Sequence, residues 1–510
     1  MKTRVSTFSY ILATLFIVSG YGSPRLVHAQ SQSPSQPPAT TQSQTGTAPQ
    51  TVQTKPSVQS PFSPPQPHTD APPEPVKRYP GDGDGAYKTG TYRDLFGERG
   101  HSAAESRAKV DAAFEQLFHG DKDTQAIYYE AGSNANGPLA YMTDIANHDA
   151  RTEGMSYGMM VAVQLNKKQE FDAIWNWANT YMLVTDPQNP SLGYFAWSMN
   201  VDGTPRSDSA APDGEEYFTM ALYFAANRWG SGTGIYNYKE QADRILSLMR
   251  HHAVLTGTRP FRIHPGDEPF VRKPRPLPAG TPPPPPRSPE ASVGPMTEET
   301  YKMIRFVPDM GGGEKFTDPS YHLPAFYELW ARWGPEPDRA FWAEAADVSR
   351  NTFAKVTGPD TGLTPDRSHF DNSQIIAVNG TATPFSYDSW RSVSNWSVDY
   401  SWWKKDPDEV VLSDRIQKFL YGQGIHTFAD RYTLDGKPLS DRHSTGMVAT
   451  TAVGSHSATK GAISEAFLDE LWNTPVPSGE QRYYDGLLYL MSLMHCSGNF
   501  RIWGPTAAAK

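Results

Sequence analysis

Along most of the chain the apolar positions recur with a helical period. In 102–118 (SAAESRAKVDAAFEQLF), Val110, Ala113, Phe114, Leu117 and Phe118 fall at i, i+3, i+4, i+7 and i+8, behind a Ser102 suited to cap the first turn. In 168–182, Phe171, Ile174, Trp175, Ala178 and Met182 mark one face. Helix-compatible spacing also occurs near 154–166, 215–229, 237–252, 321–333, 338–356, 389–403, 408–421, 445–458, 461–472 and 483–495, which makes about twelve segments. No run of alternating strand positions competes with them, so the pattern predicts an all-α domain. Twelve helices in one domain suggest stacked helical hairpins, as a solenoid or a closed double ring. The absence of a fixed-period repeat disfavours the solenoid.

Two interruptions are compositional. Residues 30–80 hold 13 Pro among Ser, Gln and Thr, and lack the apolar content that would offset the entropy of ordering. A tether is expected over 30–85. Residues 265–295 hold 12 more Pro, five of them in series at 282–286, and read as a surface insertion within a single domain spanning 86–510. Before the tether, Lys2 and Arg4 precede the apolar run Tyr10–Val18, and Val27-His28-Ala29 forms a small-residue cleavage pattern. Residues 1–29 are therefore expected to be a signal peptide, and the protein to be exported, either secreted or periplasmic.

Charge and cysteine count narrow the function. The net charge is −9 with no basic run, which is wrong for nucleic acid. A single cysteine, Cys496, permits neither an internal disulfide nor a Cys-based zinc site, and is expected to be a small buried core residue. No apolar run beyond the N-terminus approaches a membrane span, so no membrane contact is expected past the signal peptide. Phosphate-loop, dinucleotide, HExxH and GxSxG motifs are absent. Asp82-Gly83-Asp84-Gly85 lacks the downstream Glu of a calcium loop, so neither metal nor cofactor is expected.

The candidate chemistry lies in short polar clusters at helix starts. Glu153 sits beside Gly154, Ser156 and Gly158, small residues that would admit a ligand to the backbone; it is either a general acid or a first-turn Glu held by the helix dipole. Asp213, in Pro-Asp-Gly, has the setting of a turn or a helix cap. Asp388 is flanked by Tyr387 and Trp390, with Arg391 three residues on, and reads equally as a cap or a base. Aromatics accompany these carboxylates, among them Tyr157, Tyr194, Trp197, Tyr217, Tyr321, Tyr483 and Tyr484. Rings that stack on sugars, mixed with acid/base carboxylates, fit a carbohydrate cleft.

Taken together, DARTEGMSYGMM (149–160), GYFAWSMNVDGT (193–204), APDGEEYF (211–218), TDPSYHLPAFYELW (317–330), SYDSWRSVSN (386–395), RHSTGMVAT (442–450) and the stretch from LWNTPVPSGEQRYYDGLLYL to SGNFRIW (471–503) resemble glycoside hydrolase family 8, most closely its reducing-end xylose-releasing exo-oligoxylanases. The resemblance implies an (α/α)6 barrel and an inverting hydrolysis of xylo-oligosaccharide or xylan. It puts Glu153 on the general acid, Asp388 on the general base and Asp213 on a third carboxylate at the cleavage subsite. It puts Tyr321 on a tyrosine that holds the nucleophilic water, and gives Arg391 a role in orienting the base or a sugar hydroxyl. Trp197, Tyr194, Tyr483 and Tyr484 are expected to line the sugar cleft. His443 matches the histidine of a Leu-His-Pro loop that closes the cleft in the exo enzymes, although Arg442 and Ser444 depart from that loop. Two alternatives stand beside the exo reading: an endo-xylanase of the same family, and a non-catalytic carbohydrate-binding protein.

Overall fold

Among the described residues, twelve helices of nine residues or more pair off along the chain. The computed structural model describes residues 74–259, 290–376 and 382–505. The expected signal peptide, the tether as far as residue 73 and most of the Pro-rich insertion lie outside these residues. The helices are α1 (Ala103–Phe114), α2 (Thr152–Leu165), α3 (Lys168–Trp177), α4 (Pro212–Trp229), α5 (Tyr238–His251), α6 (Pro324–Trp333), α7 (Arg339–Val356), α8 (Trp390–Trp402), α9 (Asp408–Gly422), α10 (Thr445–Val453), α11 (Ala462–Asn473) and α12 (Arg482–Cys496).

Their apolar distribution sorts them into two rings. In α5 the buried positions Tyr238, Ala242, Ile245, Leu246 and Met249 form one stripe, the signature of a helix with one face in water. In α2 every residue from Gly154 to Gln164 is buried, and α12 is buried over nearly its whole length, as helices surrounded by others must be. The even-numbered helices form the inner ring: α2 packs on α4, α6 on α8, α8 on α10, α10 on α12 and α12 back on α2. The remaining joint, α4 to α6, is made by the edge-on rings of Tyr217 and Phe326, 5.1 Å apart, and by the Tyr327 hydroxyl donating to Glu216 at 2.6 Å. Each odd-numbered helix backs an inner neighbour. The result is the (α/α)6 barrel. Cys496 is buried in its core. Among the described residues, no helix is long and apolar enough to cross a membrane.

Three features depart from expectation. The stretch YYEAGSNANGPLAYM forms a β-hairpin, β1 (Tyr128–Asn134) against β2 (Gly137–Met142), with Gly137 at φ 121°. The Asn-Gly pair at 136–137 is its sequence signal, overlooked among the helical periods. Residues 74–85, the end of the expected tether, pack on the barrel instead: Asn351 holds both backbone groups of Lys77, and Gly85 N–H donates to the Trp403 carbonyl. In the same strap Asp82 pairs with Arg332 and Asp84 with Lys88. Finally, the chain leaves for the Pro-rich insertion and returns from it through the antiparallel pair β6 (Leu255–Thr258) and β7 (Glu290–Val293), where β3 to β5 are the short strands Asp149–Arg151, Ser198–Asn200 and Pro205–Ser207.

Candidate active site

All six inner helices run in one direction, so their N-termini gather at one end of the barrel, and there the polar clusters meet. The strand β3 delivers the chain into α2, and Thr152 N–H is fixed by the Trp197 carbonyl at 3.0 Å, which puts Glu153 in the first turn. The α2 and α4 termini are drawn together by small residues. A Cβ on Gly214 would lie 2.4 Å from Thr152, and one on Gly154 2.4 Å from the Tyr483 hydroxyl. Gly154 and Gly158 therefore serve packing, against Tyr483 and against Met142 and Ile174, rather than giving a ligand access to the backbone.

Asp213 is not a helix cap. It is the second residue of α4, behind Pro212, and its carboxylate accepts from Gly214 N–H at 3.0 Å and from Arg391 Nη1 at 2.9 Å. Asp388 is not a cap either. It lies in a single turn, Tyr387–Ser389, whose capping is done by Ser386 and Ser389, and its side chain is 43% exposed. Arg391, buried in α8, joins the carboxyls. Besides Asp213, Nη1 reaches the Tyr157 hydroxyl at 2.9 Å and lies 3.9 Å from Glu153; Nη2 lies 2.9 Å from Ser320 Oγ and 3.1 Å from Asp388. The two contacts at opposite ends of one guanidinium, 3.9 Å and 3.1 Å, keep the Glu153–Asp388 separation below roughly 9.5 Å, the upper end of the range for an inverting pair.

Burial governs the electrostatics of Glu153. Burial, reinforced by Asp213 and Asp388, pushes Glu153 up to about 8 against the opposing pull of Arg391, and its Oε1 is buried without a hydrogen-bond partner. The α2 terminus favours the anion by only about 0.3–1 kcal/mol, too little to reverse this. Burial also raises Asp213, partly offset by Arg391.

Glu153, Asp388 and Arg151 line two cavities at once. One, of about 350 Å³, is walled by Trp197, Phe306, Tyr321 and Asp213. The other, of about 480 Å³, is walled by Tyr387, Tyr483, Tyr484, Asn147 and Glu480. The cleft thus extends to both sides of the paired carboxyls. The sequence profile of glycosyl hydrolases family 8 matches residues 134–273 and 296–498. The chain belongs to glycoside hydrolase family 8. It is 39% identical to the reducing-end xylose-releasing exo-oligoxylanase Rex8A of Paenibacillus barcinonensis, over 82% of this chain and 99% of that enzyme. It is 40% identical to the reducing end xylose-releasing exo-oligoxylanase of Halalkalibacterium halodurans, over 83% and 97%. Among solved structures, a family 8 xylanase from Teredinibacter turnerae, a catalytic mutant with bound xylohexaose, is 46% identical with a TM-score of 0.75, covering 82% of this chain and 100% of that one.

Of the expected cleft residues, Trp197, Tyr321, Tyr483 and Tyr484 do line the two family 8 cavities, and Arg391 underlies them. Two do not. Tyr194 is buried in the core, stacked on His252 with its hydroxyl donating to the Gly294 carbonyl at 3.1 Å; it braces the strands that flank the insertion. His443 precedes α10 at the correct end of the barrel but is turned aside. Its Nδ1 donates to the Phe428 carbonyl at 2.8 Å and its Nε2 faces Glu470 at 3.5 Å. Its neighbour Arg442 pairs with Asp485, which also accepts from Ser444 Oγ and Gly446 N–H, so this stretch is tied to the start of α12. Three site residues escaped the sequence reading: Arg151, Phe306 and Ser320. Arg151, held by Asp144 and Asp149, lays its guanidinium 5.4 Å from the Trp197 ring, and a charge adjoining Glu153 in DARTEG was a usable signal. Nothing in the local sequence marks the other two.

Proposed function

We propose that the protein is an inverting glycoside hydrolase that cleaves β-1,4-xylosidic bonds and releases xylose from the reducing end of xylo-oligosaccharides. The observation that carries this reading is the unlike pair at the junction of two cavities: Glu153, buried and so less acidic, and Asp388, open to water, joined by one guanidinium. Glu153 donates its proton to the glycosidic oxygen as the C–O bond breaks. Asp388 takes a proton from the water that attacks the opposite face of the sugar. Asp213, fixed by Arg391 and Gly214, and Tyr321, beside Arg391, hold the ring and the water between them. Trp197, Tyr483 and Tyr484 supply apolar faces for flanking sugars. The choice of xylose is supported by the named activities of the family 8 relatives. The N-terminal run of Lys2, Arg4 and Tyr10–Val18 supports export, so the substrate is met outside the cytoplasm.

The acid must be protonated to work, so kcat/KM is expected to fall as pH rises through about 8, where Glu153 ionises. Glu153→Gln should remove that basic limb along with most of the rate. A Glu153→Gln enzyme that keeps the limb would assign it to another group.

Products decide the mode of action. Xylohexaose should give xylose and xylopentaose first, with polymeric xylan nearly untouched, and the new reducing end on xylopentaose should appear as the α-anomer by NMR. The β-anomer would contradict inversion. A second reading, endo-xylanase, is favoured by one observation: His443 is bonded to Phe428 and faces Glu470 instead of closing the cleft. A ladder of middle-sized products with fast attack on xylan would establish it.

A further inference from the structure

Asp388 depends on its backbone for its aim. Its carboxylate is exposed and its charged contact is Arg391 at 3.1 Å. The turn that carries it is strained: Tyr387, the residue before it, has φ 40°, in the left-handed region that non-glycine residues avoid. Such a turn persists only where its surroundings fix it from several sides. Here a carboxylate from another stretch of chain grips both ends. Ser386 Oγ donates to one oxygen of Asp366 at 2.8 Å and Ser389 Oγ to the other at 2.6 Å. Asp366 is itself anchored, its N–H donating to the Pro384 carbonyl at 2.9 Å. Thr364 Oγ1 reaches the Ser389 carbonyl at 3.3 Å, and the Tyr484 hydroxyl reaches the Tyr387 carbonyl at 3.2 Å.

Holding an anion beside Asp388 is electrostatically unfavourable. Burial and the Asp388 charge push Asp366 up to about 6, while the two serine hydroxyls pull it down. A neutral amide or a serine would tie a loop without that repulsion, but neither offers two acceptor oxygens in one plane to two hydroxyls.

We propose that Asp366 is a positioning residue for hydrolysis, clamping both ends of the Tyr387–Ser389 turn so that the Asp388 carboxylate faces the attacking water. This rests on the reading of Asp388 as the base. Asp366 touches neither sugar nor water in this scheme; it acts through the two serines.

The test is a kinetic comparison on xylohexaose. Asp366→Ala should lower kcat by about 10- to 100-fold, the size of effect that misorienting a catalytic group produces, with KM within about threefold because, although Tyr387 rides on the clamped turn, the other aromatic walls, Trp197, Tyr321, Tyr483 and Tyr484, are carried by other segments. Asp366→Asn, which keeps one acceptor, should lose less. The double variant Ser386→Ala/Ser389→Ala should lose a similar factor, and adding Asp366→Ala to it should cost little more, because all three groups form one clamp. A folded Asp366→Ala enzyme with kcat within twofold of wild type, or one whose loss lies in KM alone, overturns the proposal. If Asp366→Ala does not fold, the serine double variant carries the same expectation, and wild-type kcat in it overturns the clamp. Wild-type protein that hydrolyses no xylo-oligosaccharide or xylan would instead sink the assignment of the base, and the clamp with it.

Discussion

Asp388→Asn should be a folded protein with almost no activity. The side chain is 43% exposed and buried Arg391 keeps Asp213 as its counter-ion at 2.9 Å, so no charge is stranded in the interior, and the melting temperature should stay within a few degrees of wild type. The rate has no such protection. Asn cannot accept the proton of the attacking water, and general-base removal costs typically about 10²–10⁴-fold. Because the walls of both cavities are unchanged, xylohexaose should still bind, and the loss should fall on kcat rather than KM. The measurement is initial rate on xylohexaose beside circular dichroism and a thermal melt. A folded variant at near wild-type rate would remove Asp388 from the role of base.

Arg391→Met should damage fold and chemistry together. The guanidinium is buried and bridges Asp213, Asp388, Tyr157 and Ser320, with Glu153 close by. Methionine keeps the volume but leaves the Asp213 carboxylate in the interior without its cation, a loss of about 3–5 kcal/mol. The deficit should depend on pH. Removing Arg391 raises Asp213 and Glu153 further above their unfolded values, so the folded variant binds more protons than its unfolded chain. Its stability relative to wild type should then fall as pH rises from acid to neutral. Activity should fall as well, since Asp388 loses its charged contact. Arg391→Lys should recover part of the stability and little of the rate, because one ammonium cannot spread over partners that a planar fork reaches. Thermal melts between pH 4 and 8 would test this; a deficit that is flat with pH would mean that the buried carboxyls do not depend on Arg391.

The fate of individual residues shows where sequence reading succeeds. Ser102 was legible as a cap because capping is settled within four residues, and it forms a full capping box with Glu105. The inner and outer helices were legible as helices from their period, and the contrast between α2, buried on all sides, and a one-sided α5 separates the two rings. Glu153, Asp213 and Asp388 stood out as carboxylates in short polar clusters at helix starts. Residue by residue, however, each kept a bland alternative until the fold excluded it. Asp213 and Asp388 had the sequence of helix caps, yet in the barrel Pro212 begins one helix and Ser386 with Ser389 caps the other turn.

Tyr194 and Trp197 set the limit most plainly. They sit three residues apart in one stretch, GYFAWS, equally aromatic and equally near the carboxylates in sequence. One ends in the core on His252 and the other faces a cavity beside Arg151. His443 sits before the correct inner helix and is turned toward Phe428 and Glu470 by groups from other helices. Asp366 carries no local mark at all, since its meaning comes from two serines 20 and 23 residues away. By itself the sequence determined the helical periods, the two kinds of helix and the carboxylates at helix starts, because each follows from neighbours within a few turns of the chain. Only the tertiary structure decided which rings face the cleft, which carboxyl stays protonated and which group holds the other in place, because burial, dielectric and hydrogen-bond partners are properties of residues brought together from distant parts of the chain.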